Sequence, residues 1–181
     1  FVPNLTIGPA VVKSIRFVSK TYFDVHLMVT NPQGLLNSFA KAGANGITFH
    51  IEAVENPGSL IDQIKSLKLE VGISLKPATP LEKITPFLDQ IDRVLIMSVE
   101  PGFGGQNFLK SSLEKIRQLY HALVQYRLKD RVEIEVDGGI KLENAQDVIS
   151  VGGDALVVGS GIFKAQDPEK QLATFKLLQK Q

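Results

Sequence analysis

The stretch VEIEVDGG, residues 132–139, places an apolar residue at every second position and then ends in two glycines. Alternate side chains of a β-strand point to opposite faces, so one face of this strand is apolar and the other holds three carboxylates. In a parallel β/α barrel the apolar face packs on the helices and the carboxylates point inward. The pattern therefore predicts a barrel strand that ends at Asp137, where barrel enzymes hold their sites.

Five other runs have the same character. Each is short, rich in Val, Ile and Leu, and followed by a segment with helical spacing. This alternation predicts parallel strands joined by crossover helices. With 132–137, the predicted strands are 23–29, 46–51, 70–75, 93–99 and 155–160, and a helix is predicted over 9–19.

Six such units do not close an eight-stranded barrel, which typically needs about 250 residues. An open, doubly wound sheet could hold six strands, but it would place one phosphate site after its first strand. Here the glycine loops come late in the chain. We therefore predict a single domain, 1–181, that is a (β/α)8 TIM barrel lacking its first two strands. The start at Phe1 rather than Met favours a fragment or a processed chain.

The helix ends carry local signals. A residue able to cap a helix precedes proline, which suits the first helical position, at 31–32, 56–57, 79–80 and 167–168. Glycines that can take a left-handed conformation predict helix C-termini within 42–45 and 151–154.

Composition excludes several kinds of protein. Twenty basic residues against nineteen acidic ones give a net charge of +1, which indicates neither nucleic acid nor an anionic membrane as partner. Cysteine is absent, so thiolate metal sites and disulfides are excluded. No apolar run approaches the roughly 20 residues of a membrane helix. These features are typical of a cytoplasmic enzyme.

Two strands supply candidate metal ligands. Asp137 ends its strand, and His26 lies on one face of the first run, where both should reach the barrel mouth. A site of histidine and aspartate suits zinc, manganese or iron. Alternatively, Asp137 caps the next helix and His26 is hydrogen-bonded inside the barrel. His50 stays ambiguous, and His121 is expected on the surface.

Glycine loops follow three consecutive strands. Successive glycines let backbone amides approach an anion, and the last two strand–helix loops of a barrel are a known phosphate site. The third loop suits a mobile lid. Plain turns are the alternative for each loop. The three segments are 138–139, 159–161 and 100–106.

The chain resembles the ribulose-phosphate 3-epimerase family along essentially all 181 residues. The resemblance is carried by the motifs FVPN (1–4), DVHLMV (24–29), TFHIEA (48–53), MSVEPGFGGQ (97–106), EVDGG (135–139) and VGS (158–160). It implies an isomerase of the pentose phosphate pathway that interconverts D-ribulose 5-phosphate and D-xylulose 5-phosphate.

The resemblance also assigns roles. It implies one divalent metal ion (zinc, iron, manganese or cobalt) held by two histidines and two aspartates, with His26 and Asp137 as two of the four ligands. Asp137 is also one of two catalytic carboxylates. Met28 and Met97, which spacing alone would assign to packing, become a cap over the enediolate. Substrate and phosphate contacts fall to His26, Gly102, Phe103, Gly104, Gly105, Gly138, Gly139, Gly159 and Ser160.

In the family, the remaining histidine and aspartate lie on a strand motif of which only FVPN is present here. A chain limited to 1–181 is therefore expected to have little or no epimerase activity and to bind metal weakly. The alternatives are a 3-epimerase of another ketose phosphate, such as a hexulose 6-phosphate, or a phosphate-binding fragment without catalysis. The expected partners are a phosphorylated sugar and further copies of the chain in a homo-oligomer.

Overall fold

The computed structural model describes residues 6–178, so the motif at residues 1–4 lies outside the described range. Six parallel strands form one sheet in the order β1-β2-β3-β4-β5-β6. The strands are β1 (Asp24–Leu27), β2 (Gly46–His50), β3 (Glu70–Leu75), β4 (Arg93–Met97), β5 (Glu133–Asp137) and β6 (Ala155–Val157).

Helices connect the strands. The α-helices are α1 (Pro9–Arg16), α2 (Leu36–Ala42), α3 (Pro57–Ser66), α4 (Ser112–Gln125), α5 (Leu142–Ser150), α6 (Ser160–Phe163) and α7 (Pro168–Lys176). Short 3₁₀ helices occupy Gln33–Leu35, Ile51–Ala53, Leu81–Lys83 and Thr85–Gln90. The connection from β3 to β4 thus consists of 3₁₀ turns instead of a regular α-helix. No helix within residues 6–178 is both long and apolar enough to cross a membrane.

The sequential strand order confirms the barrel arrangement and excludes the doubly wound sheet, in which the order reverses. The curl of the sheet is visible in contacts between distant strands. A guanidinium nitrogen of Arg93 on β4 lies 3.0 Å from Asp24 Oδ1 on β1. In a flat sheet those strands would be about 14 Å apart. The six strands therefore follow the path of a barrel wall.

The core lies between the outer face of the sheet and the helices. Ile134 and Val136 on β5 are fully buried, as the alternation in VEIEVDGG requires. The same face of β2, β3 and β4 is apolar and packs with buried residues of α3, α4 and α5. Fully buried members of this layer include Ile47, Phe49, Ile73, Ile96, Leu60, Ile64, Ile116, Leu123 and Val148.

Most predicted helix ends are confirmed. The side chains of Asn56 and Asp167 accept hydrogen bonds from backbone amides at the start of α3 and α7. Gly43 directly follows α2 and has a φ of 99°. Gly152 lies two residues after the end of α5 and has a φ of 115°. The predicted cap at Thr79 is wrong, because its hydroxyl donates to Glu52 instead.

Several predicted strands end early. The run at 93–99 stops at Met97, and just beyond it the backbone amide and the hydroxyl of Ser98 both donate to the carbonyl of Asp137. The run at 155–160 stops at Val157, and Ser160 begins α6. The predicted helix at 9–19 ends at Arg16. After β4 and β6, the loops that carry predicted site residues thus begin sooner than the apolar pattern indicates.

The inner face of the sheet is polar at the N-terminal end of the strands. Arg93 makes contacts of 3.0 Å with Asp24, 2.6 Å with Glu133 and 3.3 Å with Glu135. One cation thus serves three carboxylates. Burial, followed by the negative charge of Asp24, raises the pKa of Glu135 from 4.5 to about 8. Both effects favour the protonated form of Glu135 in the folded protein.

We predict that Glu135→Gln becomes increasingly stabilising, relative to wild type, as pH rises from about 5 to about 8. The folded protein holds a proton on Glu135 that the unfolded chain has released above pH 4.5. The free energy of unfolding of the wild type therefore falls as pH rises towards 8, because of Glu135, by at most about 1.4 kcal/mol per pH unit. Glutamine mimics the protonated carboxyl and does not titrate.

Urea unfolding of both proteins across this pH range measures the difference. Glu133→Gln is the matched control, since Glu133 lies on the same strand and face but is more exposed. A Glu135→Gln effect that stays constant with pH would contradict the assignment.

Candidate active site

A cleft opens at the C-terminal ends of β4, β5 and β6. It gathers the predicted site residues from four separate segments of the chain, with the exception of His26, which does not line it. His26 contacts a residue that does line the cleft, with Nδ1 3.6 Å from Asp137 Oδ2. The predicted residues that line the cleft are Met28, Met97, Gly102, Phe103, Gly104, Gly105, Asp137, Gly138, Gly139, Gly159 and Ser160.

The turn after β5 depends on its two glycines. Gly138 and Gly139 have φ values of 127° and 66°, which other residues rarely adopt. A Cβ on Gly139 would lie 2.4 Å from the backbone nitrogen of Phe108. The Ser98 hydroxyl donates to the carbonyl of Gly138 at 2.7 Å. The loops after β4 and β5 are therefore closely packed against each other at the cleft.

The glycine after β6 has a different environment. A Cβ on Gly159 would meet no atom within 4 Å, and this residue lines the cleft. Gly161, by contrast, packs so closely that a Cβ there would lie 2.5 Å from the carbonyl oxygen of Ile140. The fold therefore needs a glycine at Gly161, whereas the space at Gly159 is left open towards the cleft.

The loop at 100–106 covers one side of the cleft. The side-chain amide of Gln106 donates to the carbonyls of Glu100 at 2.7 Å and Phe103 at 2.9 Å. Both bonds lie within the loop and hold it in a curved shape. Phe103 at its tip is 81% exposed. The arrangement suits the predicted lid, which can fold over a bound molecule.

Two methionines also line the cleft. Met97, at the end of β4, is 1% exposed and packs with Leu95, Val99 and Met28. The register of the sheet pairs Met97 with Asp137. Met28 and Met97 thus pack in the protein interior and also line the cleft. They make the wall beside Asp137 apolar.

The pair of His26 and Asp137 fits two ligands of one metal ion. Two ligands of a tetrahedral zinc ion, each at about 2.0–2.2 Å, lie about 3.3–3.5 Å apart. The observed separation of 3.6 Å is close to this value. No cluster of three or more potential ligands is found among residues 6–178. The described chain therefore offers two adjacent ligand positions.

His50, ambiguous from its sequence position, lies behind His26. It is fully buried, and its Nε2 is 2.8 Å from Nε2 of His26. Its Nδ1 is 3.2 Å from Oε2 of Glu52. Burial lowers the pKa of His50. His50 therefore contacts the candidate ligand rather than the cleft, while His121 is exposed on α4, as predicted.

Glu52 is the residue that the sequence reasoning missed. Burial alone would raise its pKa, but hydrogen bonds from His50, Thr79 and the amide of Lys76 outweigh burial and hold the pKa at about 2. In the sequence, Thr48, His50 and Glu52 alternate as they would on one face of a strand, although β2 ends at His50 and Glu52 lies in the 3₁₀ helix that follows. This alternate spacing could have pointed to Glu52, although it does not show which residue Glu52 would contact.

Comparison with solved structures supports the fold. The strand order and the position of the cleft define a protein of the β/α-barrel class, with its site at the C-terminal ends of the strands. The crystal structure of KGPDC from Streptococcus mutans superposes with a TM-score of 0.69 over 95% of this chain and 78% of that one. At 18% identity this likeness concerns the fold alone.

Sequence comparison goes further than the fold. The profile of the Ribulose-phosphate 3 epimerase family matches residues 1–163. The chain belongs to this family of isomerases.

Two plant relatives illustrate the match. The cytoplasmic isoform of ribulose-phosphate 3-epimerase from Oryza sativa subsp. japonica is 42% identical over 180 residues, covering 97% of this chain and 76% of the relative. The chloroplastic ribulose-5-phosphate-3-epimerase of Arabidopsis thaliana is 45% identical over 169 residues, covering 92% of this chain and 59% of the relative.

We predict that Gly139→Ala destabilises the protein by about 1–3 kcal/mol, because a Cβ at φ 66° meets the backbone of Phe108 and Gln106. Gly104→Ala is the matched control, since a Cβ there has no neighbour within 4 Å. Thermal melting of both variants distinguishes them. Equal melting temperatures would show that the turn after β5 does not need its glycine.

Proposed function

We propose that the protein interconverts D-ribulose 5-phosphate and D-xylulose 5-phosphate by moving the proton at C3. The observation that supports this most is the placement of Asp137. It ends β5 beside an apolar wall, a glycine turn and His26, in a chain of the ribulose-phosphate 3-epimerase family.

The reaction needs a base at the strand ends. The C3 proton is acidic because it lies next to the C2 ketone, and its removal gives a 2,3-enediolate. Asp137 lines the cleft and takes or returns this proton from one face. A positioned acid–base group of this kind typically contributes about 10²–10⁴-fold in rate.

Inversion at C3 needs a second acid–base group on the opposite face of the substrate. We assign this group, together with the remaining ligands of the metal, to the strand motif that precedes FVPN in the family and that residues 1–181 do not contain. His26 and Asp137 would hold a divalent ion, whose Lewis acidity would stabilise negative charge that develops on the substrate oxygens. Zinc, iron, manganese and cobalt all suit such a mixed imidazole and carboxylate site.

The cleft accounts for the rest of the substrate. The open backbone at Gly159 and the turn at Gly138 and Gly139 would bind the phosphate through amides. The lid segment Gly102 to Gly105 would close over the sugar. Met28 and Met97 would cover the enediolate and exclude water, which protects a reactive intermediate.

The cellular setting follows the relatives. We propose a cytoplasmic location, by analogy with the rice isoform, although the Arabidopsis relative is named chloroplastic. We also propose assembly into a homo-oligomer. A small phosphorylated sugar is the partner that the cleft suits.

In a protein that also contains the second acid–base group, Asp137→Asn should lower kcat for D-ribulose 5-phosphate by about 10²–10⁴-fold or more, because the amide cannot accept the C3 proton. The measurement is a coupled assay for D-xylulose 5-phosphate, with metal content determined in parallel. His121→Ala, on the exposed face of α4, is the control and should keep wild-type kinetics. Near-normal turnover by the asparagine variant would remove Asp137 from the mechanism.

The substrate assignment has its own test. A cleft for a five-carbon phosphate should give a higher kcat/KM for D-ribulose 5-phosphate than for a hexulose 6-phosphate. Both are assayed by incorporation of solvent deuterium at C3. A clear preference for the six-carbon substrate would contradict the pentose assignment and would favour a 3-epimerase of another ketose phosphate.

A further inference from the structure

We propose that Glu52 is a positioning residue that fixes the tautomers of His50 and His26 and so directs the Nδ1 lone pair of His26 towards Asp137. This inference rests on the proposed function to the extent that a cation is expected between His26 and Asp137. It concerns a line of four side chains that crosses from the loop after β2 to the end of β5.

The line begins with a carboxylate that can only accept. The backbone N–H of Lys76 donates to Oε1 of Glu52 at 2.8 Å, and the hydroxyl of Thr79 donates to the same oxygen. The other oxygen, Oε2, lies 3.2 Å from Nδ1 of His50. Because an ionised carboxylate has no proton to give, Nδ1 of His50 must carry the hydrogen.

The contact between His50 and His26 then determines which nitrogen of His26 carries the hydrogen. The two histidine rings lie nearly parallel, at 23°, with Nε2 atoms 2.8 Å apart. A contact this short between ring nitrogens requires one donor and one acceptor. His50 is fully buried, which favours its neutral ring. With the proton on Nδ1, its Nε2 accepts, and so Nε2 of His26 donates.

The last contact explains why the order matters. A neutral His26 with its hydrogen on Nε2 has a lone pair on Nδ1, and this atom faces Asp137 Oδ2 at 3.6 Å. A lone pair facing a carboxylate is repulsive unless a positive ion lies between them. The tautomer set by Glu52 is therefore the one that binds a cation. Hydrogen bonds that orient a ligand histidine in this way are a general feature of metal sites.

A lysine supports the far end of the line. Nζ of Lys115, on α4, donates to the backbone carbonyls of Lys76, Pro77 and Thr79. These bonds fix the loop whose amide and hydroxyl hold Glu52. The carboxylate is thus held from one side by the loop and from the other by His50, so its orientation does not depend on the cleft being occupied.

The substitution Glu52→Gln keeps the size of the side chain but should reverse the tautomers of both histidines. The oxygen of glutamine should face the two donors at Lys76 and Thr79, which turns its NH₂ group towards Nδ1 of His50. His50 must then accept at Nδ1 and donate from Nε2. His26 would accept at Nε2 and carry its hydrogen on Nδ1, where it can no longer bind a metal ion.

The test measures tautomers directly, by ¹⁵N NMR of histidine side chains in the purified, metal-free protein. We expect His50 to be protonated at Nδ1 and His26 at Nε2 in the wild type, and both to be reversed in Glu52→Gln. Affinity for Zn²⁺, measured by competition with a chromogenic chelator, should fall about 10–100-fold in the variant.

Two controls separate positioning from folding. Glu52→Asp keeps a carboxylate and should keep the wild-type tautomers, whereas Glu55→Gln, an exposed neighbour with the same charge change, should alter neither tautomer nor zinc affinity. A wild-type protein with the hydrogen of His26 on Nδ1 overturns the inference without any variant. Unchanged tautomers and zinc affinity in a folded Glu52→Gln protein also overturn it. Epimerase activity is measured separately, so failure of the proposed function is distinguishable.

Discussion

The approach of His26 to Asp137 is the contact on which the site depends. These residues stand on β1 and β5, which are separated by three strands in the sheet. In a flat sheet the two strands would be about 19 Å apart. Their side chains meet at 3.6 Å because the sheet curls into a barrel wall. The site therefore exists only as a consequence of the curl, and anything that flattens the sheet separates its two candidate ligands.

The inner face of the barrel organises its polar groups in two levels. At the N-terminal end of the strands, Arg93 contacts three acidic side chains on β1 and β5. At the C-terminal end, His26, His50 and Glu52 form a line behind Asp137. Both levels join strands that are not neighbours. The contacts of Arg93 thus stabilise the curvature of the sheet that brings His26 close to Asp137.

The fold was largely predictable because its signals are local and repeated. Alternation in β5, glycines after α2 and α5, and capping residues before proline each depend on a few adjacent residues. The strand order could be chosen because the glycine loops come late in the chain. Strand ends were less predictable, since hydrogen bonds from Ser98 to the turn after β5 are tertiary contacts. The site was predictable only in part, for the same physical reason. Thr79 shows the competition most clearly, because its position before proline favours a cap but an ionised carboxylate 27 residues earlier in the chain is the stronger acceptor.

If His26 and Asp137 are two ligands of one divalent ion, anomalous X-ray diffraction from crystals grown with Zn²⁺ or Co²⁺ tests the pairing most directly. We expect a single strong peak within about 2.2 Å of both His26 Nδ1 and Asp137 Oδ2. A peak located elsewhere, or one bound through Nε2 of His26, would contradict the assignment.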